Sequence, residues 1–140
     1  MSMNRRDFVE TALAAAAVSL ANTPISTARE EVAQARKVGA NEKIRVAVIG
    51  VNGQGGSHLG EWLKNPDVDL VAVCDCDPAA YQKHVSKFKD LKHKPRYEKD
   101  VRKLLEDKNI DAVSIATPNH WHALMAVWAM QAGKDVYVEK

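Results

Sequence analysis

From Lys43 to Lys140 the chain repeats one pattern: a short β-branched run, a glycine or proline break, then apolar residues at helical spacing. That alternation leaves few folds open, because strands joined by helices pair in parallel, and a parallel sheet must be covered on both faces. Ile44-Arg45-Val46-Ala47-Val48-Ile49 reads as a buried strand ending at a glycine cluster. Leu59, Trp62 and Leu63 share one face of the helix that follows, which Asn65-Pro66 stops. Leu70-Val71-Ala72-Val73-Cys74 is the second strand. Asp77 then caps a helix with Pro78 in its first position and Tyr81, Val85 and Phe88 at helical spacing. An extended stretch at Arg96-Tyr97 precedes a helix carrying Val101, Leu104 and Leu105. Ala112-Val113-Ser114-Ile115-Ala116 is the next strand. Thr117 caps the helix after it, Pro118 lies just inside, Leu124, Val127 and Trp128 face the core, and Gly133 ends the helix. Asp135-Val136-Tyr137-Val138 closes the series. With right-handed crossovers, the expected architecture is α/β, a doubly wound parallel sheet left incomplete at the C-terminus.

Ligands of such sheets bind outside the carboxyl ends of the strands, where strand order reverses. After the first strand comes Gly50-Val51-Asn52-Gly53-Gln54-Gly55-Gly56. Glycines permit the tight turn and let backbone amides approach a pyrophosphate at a helix N-terminus, where the dipole favours anions. Asn52 stands where the dinucleotide motif has its middle glycine, so Gly53 is expected to supply the close approach. A glycine-rich turn alone is a weak signal. Asp75 strengthens it, ending the second strand where a carboxylate accepts hydrogen bonds from both ribose hydroxyls. The same charge repels a 2′-phosphate, and no arginine or lysine follows it directly, so NAD is favoured over NADP. Together the loop and the aspartate predict a Rossmann dinucleotide-binding domain.

Two further segments end on the same rim. Thr117-Pro118-Asn119-His120-Trp121-His122 opens a helix there, with polar groups available to the nicotinamide half. His120 and His122 do not read as a metal pair, since residues two apart at a helix start diverge and no nearby cysteine or acid completes a set. No metal is expected. Glu139-Lys140 ends the last strand.

Residues 1–42 carry no such pattern. Asn4-Arg5-Arg6-Asp7-Phe8-Val9 resembles the twin-arginine export motif, and a weakly apolar run from Thr11 to Leu20 follows. That run is too short for a membrane span, and Ser19-Leu20-Ala21 offers small residues to a signal peptidase. Residues 1–21 are therefore expected to be a signal peptide read by the Tat export machinery, and 22–42 a linker. The acids Asp7 and Glu10 instead favour an ordinary alanine-rich helix. The expected location is periplasmic or exported.

Composition closes other routes. Twenty basic and 18 acidic side chains give a net charge of +2, too weak a field to argue for nucleic acid or an anionic membrane. Cys74 and Cys76 lack C-x-x-C spacing and lie too far apart on an extended strand to bridge comfortably, so no disulfide is expected.

Asp75 after Val71-Ala72-Val73-Cys74, then Ala116-Thr117-Pro118-Asn119-His120-Trp121-His122, then Gly133-Lys134-Asp135-Val136-Tyr137-Val138-Glu139-Lys140, together resemble the Gfo/Idh/MocA oxidoreductases over residues 43–140. The resemblance implies that Glu139-Lys140 begins the family's Glu-Lys-Pro signature. Lys140 would then be the catalytic residue, positioning the reacting hydroxyl or assisting proton transfer. Glu139, Asn119 and His122 would lie against the cofactor, with Asp75 on the adenosine ribose. It implies hydride transfer between NAD and a sugar, cyclitol or related polyol. Some members instead cleave glycosides by transient oxidation and elimination, and a non-catalytic nucleotide-binding module is the third reading. The family's substrate domain, through which members commonly form homo-oligomers, does not follow Lys140, so the chain reads as a fragment. It is expected to bind NAD and, alone, hardly to turn over.

Overall fold

A computed structural model describes residues 37–140. The expected leader of 1–21, and most of the linker of 22–42, lie outside the described residues. Within residues 37–140 the elements run β1 (Ile44–Ile49), α1 (Gly55–Lys64), β2 (Val68–Cys74), α2 (Pro78–Gln82), a 3-10 turn (Val85–Phe88), β3 (Arg96–Glu98), α3 (Val101–Leu105), β4 (Ala112–Ile115), α4 (Asn119–Gln131) and β5 (Asp135–Val138).

The five strands form one parallel sheet in the order β3-β2-β1-β4-β5. The chain therefore builds outward from β1 in one direction, then crosses back to build outward in the other. That reversal is the switch point of a doubly wound Rossmann sheet.

Register is what makes the reversal useful. Ile49 pairs with both Cys74 and Ile115, Cys74 pairs with Glu98, and Ile115 pairs with Val138. All five carboxyl ends finish level. Hydrogen bonds just beyond them, from Gly50 N to Cys74 O (2.8 Å) and from Ala116 N to Ile49 O (2.8 Å), carry the alignment one residue past the strands.

Each sheet face has its own core, as the two-residue period of a strand requires. Ala47, Ile49, Cys74, Val113 and Ile115 pack with Leu104, Leu105 and Ala129 on one side. Val48, Val73 and Leu70 pack with Leu59, Ala80 and Phe88 on the other. Asp77 caps α2 by accepting from Ala79 N at 2.9 Å, with Pro78 in the first turn as the sequence predicts. Gly133, at φ 71°, closes α4 in the left-handed region that an L side chain resists.

Three expectations need correction. The helix expected through Tyr81, Val85 and Phe88 is two short pieces, α2 and the 3-10 turn, although Phe88 is fully buried. The residue opening α4 is not capped by Thr117. Pro118 holds the cap position, and the Thr117 hydroxyl turns to Met125 Sδ at 3.7 Å. The face of α4 is also rotated from the expected one. Leu124 and Val127 are 41% and 45% exposed, whereas Met125, Trp128, Ala129 and Ala132 meet the core. An almost wholly apolar helix has no polar side to choose its face. Packing chose the stripe whose alanines let the helix lie close to the sheet.

Candidate functional site

The loop between β1 and α1 is shaped by what its glycines exclude. Gly50 sits at φ 81°, and a Cβ there would lie 2.9 Å from Ala116 O and from Thr117. A Cβ on Gly55 would lie 1.8 Å from Gly50 O, inside any permitted contact. The start of α1 is thus folded back against the end of β1. By contrast, nothing lies within 4 Å of a Cβ at Gly53, so that position faces open space. Gln54, at the N-cap of α1, makes no side-chain cap. The amides of Gly56 and Ser57 are already bonded to Gly53 O and Gln54 O at 2.9 Å, so what the open side of the loop offers a ligand is the positive end of the helix dipole.

Asp75 fixes this loop to β2. Its Oδ2 accepts from Val51 N at 2.8 Å and its Oδ1 from Asp77 N at 3.0 Å. An ionised carboxylate has about four lone-pair positions, so it retains acceptor capacity for a ligand. Its strand end is braced in turn by the Tyr97 hydroxyl, which donates to Asp75 O at 2.8 Å. Burial and the Asp75 charge raise the pKa of that phenol.

A cleft of about 1080 Å³ opens over the strand ends, lined by Gly50, Asn52, Gly53, Asp75 and Thr117. Trp121, in the rim segment expected from sequence, lines it as well, as do Cys76, Met125 and Trp128, which the sequence pattern did not place there. Among the described residues both cysteines are free. Burial, together with the Glu98, Asp75 and Asp100 charges, pushes the Cys74 thiol up to about 12, whereas Cys76 is exposed. At the β3–α3 turn, Arg102 holds the Asp100 carboxyl down at about 2 through side-chain and backbone hydrogen bonds.

The remaining sequence-predicted residues are divided. Asn119 is exposed at the first position of α4, and His122 Nε2 meets Thr117 O at 2.6 Å, closing the turn. Neither lines the cleft. Glu139 lines a smaller hollow of about 690 Å³, together with His58, Ser114 and Tyr137. There His58 bridges two strands, with Nδ1 2.8 Å from Ser114 Oγ and Nε2 3.0 Å from Glu139 Oε2. That contact and the Lys140 amide lower the Glu139 pKa. Lys140 is exposed at the end of the rim.

A second layer went unread in the sequence. Lys83 donates to Asn52 Oδ1 at 2.5 Å, His84 Nε2 meets Val51 O at 2.8 Å, and Lys87 donates to Gly56 O at 3.1 Å. The segment after α2 is thereby laced to the glycine loop. A Cβ on Gly56 would come within 2.8 Å of His84 Cε1, which explains the glycine doublet. That doublet was the one available signal for this layer.

A five-stranded doubly wound sheet with a glycine loop and an acidic residue at the end of β2 defines the NAD-binding Rossmann class. Residues 44–140 match the Gfo/Idh/MocA family, described as an oxidoreductase family with an NAD-binding Rossmann fold, and the chain belongs to it. It is 36% identical over 145 residues to a glycosyl hydrolase family 109 protein of Stenotrophomonas maltophilia, covering 99% of this chain and 30% of that one. The fold is similar to that of the WlbA dehydrogenase of Bordetella pertussis, solved with NADH and UDP-GlcNAcA, at 30% identity and TM-score 0.62 over 71% of this chain and 29% of that one. It is also similar to apo scyllo-inositol dehydrogenase from Lactobacillus casei, at 26% identity and TM-score 0.61 over 71% and 28% of the two chains. The chain spans about a third of the length of the curated relatives it matches.

The loop geometry separates two glycines that look alike in sequence. Gly55→Ala is expected to remove or sharply lower the thermal unfolding transition, because backbone must move to admit the methyl group. Gly53→Ala is expected to stay within about 0.5 kcal/mol of the parent. Equal effects in calorimetry would contradict this account of the loop.

Proposed function

We propose that this chain is the dinucleotide-binding part of an NAD-dependent enzyme that cleaves glycosides by transient oxidation of the sugar. The observation that carries the reaction type is the match to glycosyl hydrolase family 109 proteins along 99% of the chain, at 32% and 36% identity. Net oxidation of a sugar or cyclitol, the reading favoured from sequence, is second. Its support is the likeness to solved dehydrogenases, one of an inositol and one holding a sugar nucleotide.

The residues fit NAD. Gly50 and Gly55 let the loop fold back tightly on the end of β1, and Gly53, with open space around it, leaves room for a pyrophosphate, with Asn52 at the lip of the loop. Asp75 keeps lone pairs for the adenosine ribose and sets a negative charge where a 2′-phosphate would fall, which favours NAD over NADP. Thr117 lines the cleft, and Asn119, His122 and Glu139, which stand outside it, are assigned to the nicotinamide side on the family resemblance. When bound, NAD would supply a reversible hydride acceptor: oxidation of a sugar carbon would allow the glycosidic bond to be eliminated, water would add where the leaving group departed, and return of the hydride would leave no net redox change. Lys140, at the end of that rim, holds the reacting hydroxyl and takes part in moving its proton. The carbohydrate pocket itself belongs to the part of the family fold beyond these strands, as does assembly into oligomers.

The assay is release of an aryl leaving group from aryl glycosides by the whole protein. Release is expected to require NAD and to build up no NADH. Steady NADH formation from a free sugar or inositol, without glycoside cleavage, would overturn the glycosidase reading in favour of the dehydrogenase.

Export by the twin-arginine route is part of the same proposal and rests on Arg5-Arg6 and the apolar run after them. Because that route carries folded proteins, the cofactor would be loaded before export and held tightly. Replacing both arginines, Arg5→Lys and Arg6→Lys, is expected to keep the protein in the cytoplasmic fraction. An unchanged distribution would sink the export proposal.

A further inference from the structure

One side chain joins three elements of the rim without reaching the cleft. His58 projects from α1, one turn after the glycine loop, and is largely buried, its side chain 11% exposed. Its Nδ1 meets the hydroxyl of Ser114, which is fully buried in β4, and its Nε2 meets the carboxylate of Glu139 just past β5. The Tyr137 ring stands edge-on to the imidazole, with centroids 5.6 Å apart. On its other oxygen, Glu139 accepts from the backbone N–H of Lys140 at 3.2 Å. A continuous hydrogen-bonded line therefore runs from β4 through α1 to the backbone of Lys140.

The chemistry of the partners orients the ring. An ionised carboxylate only accepts, so Nε2 carries the proton it shares with Glu139. In the neutral ring Nδ1 then accepts from the Ser114 hydroxyl. The carboxyl of Glu139 titrates below its ordinary range chiefly because of His58, so it stays ionised and the orientation persists. Apart from this tie and the bond from Glu139 N to Ile115 O at 2.9 Å, Glu139 and Lys140 stand at the end of a four-residue strand in which only alternate side chains pack against the core.

We infer that His58 is a positioning residue, which through Glu139 fixes the nicotinamide side of the cofactor rim and the backbone of Lys140. The inference rests on the dinucleotide site proposed above and adds a residue that touches neither cofactor nor substrate.

Two amide substitutions separate its two bonds. In His58→Asn the amide reaches only the Nδ1 place, so it keeps a partner for Ser114 and loses Glu139. In His58→Gln the amide reaches the Nε2 place, so it keeps Glu139 and leaves the buried Ser114 hydroxyl unpaired. The 140-residue chain and both variants are titrated with NADH and with ADP-ribose, which lacks the nicotinamide, and their melting temperatures are recorded.

His58→Asn is expected to bind NADH about tenfold more weakly, the equivalent of one charge-assisted hydrogen bond, with ADP-ribose changed by less than about twofold. His58→Gln is expected to keep NADH affinity and to melt lower. Should His58→Asn not fold, His58→Ser cuts the same tie with a smaller side chain and must give the same split. Loss of both ligands together, or NADH affinity untouched, would overturn the positioning role while leaving the dinucleotide site standing. Failure of the parent chain to bind either ligand would overturn the site, and the inference with it.

Discussion

Everything at the rim depends on one close approach: the carbonyl of Gly50 fills the space where Gly55 would carry a side chain. The contact turns the chain back at the end of β1 and aims the N-terminus of α1 along the level ends of the strands. A single methyl group at Gly55 would push the helix away and take its amides out of line. Glycine loses more conformational entropy on folding than other residues, so a loop this rich in it must be held by other groups. Asp75 on the β2 side, and His84 and Lys87 on the α2 side, do so by bonding the loop's own backbone.

One of the holding groups, Asp75, also lines the cleft. Asp75 spends part of its capacity on Val51 and Asp77 and keeps the rest facing the cleft. On the proposed reading, removing this carboxylate would disturb loop geometry and cofactor choice together. A similar economy appears on the opposite side, where the carboxylate of Glu139 is shared between His58 and the Lys140 amide. In both places a carboxylate near the site is pinned by an N–H donor outside its own strand. Rigid sites gain from that arrangement, since the orienting bonds are formed before a ligand arrives.

Much of the scaffold was legible in the sequence because a parallel sheet writes itself plainly. The β-branched runs at Ile44, Leu70 and Ala112, and the breaks at Asn65-Pro66 and Gly133, place β1, β2, β4 and two helices within a few residues. Legibility failed where pattern is degenerate or where contacts are distant. The helix Asn119–Gln131 is apolar around its circumference, so periodicity could not choose between the Leu124–Val127 side and the Met125–Ala129 side. His58, His84 and Lys87 lie tens of residues from most of their partners, and nothing local marks them. Asp75 was recognisable by spacing from the loop, but its bond to Val51 was not, since only folding brings the two together.

Membership of the Gfo/Idh/MocA family and the observed fold make the strand-end cleft the natural seat of a dinucleotide. The most direct measurement is an amide-resolved NMR titration of NAD into the chain. The account predicts saturable shifts at the Gly50–Gly56 loop, at Asp75 to Asp77, at Thr117 to Asn119 and at Glu139-Lys140, on one continuous rim. A folded sample with no saturable shifts, or with shifts confined to surfaces away from the strand ends, would contradict it.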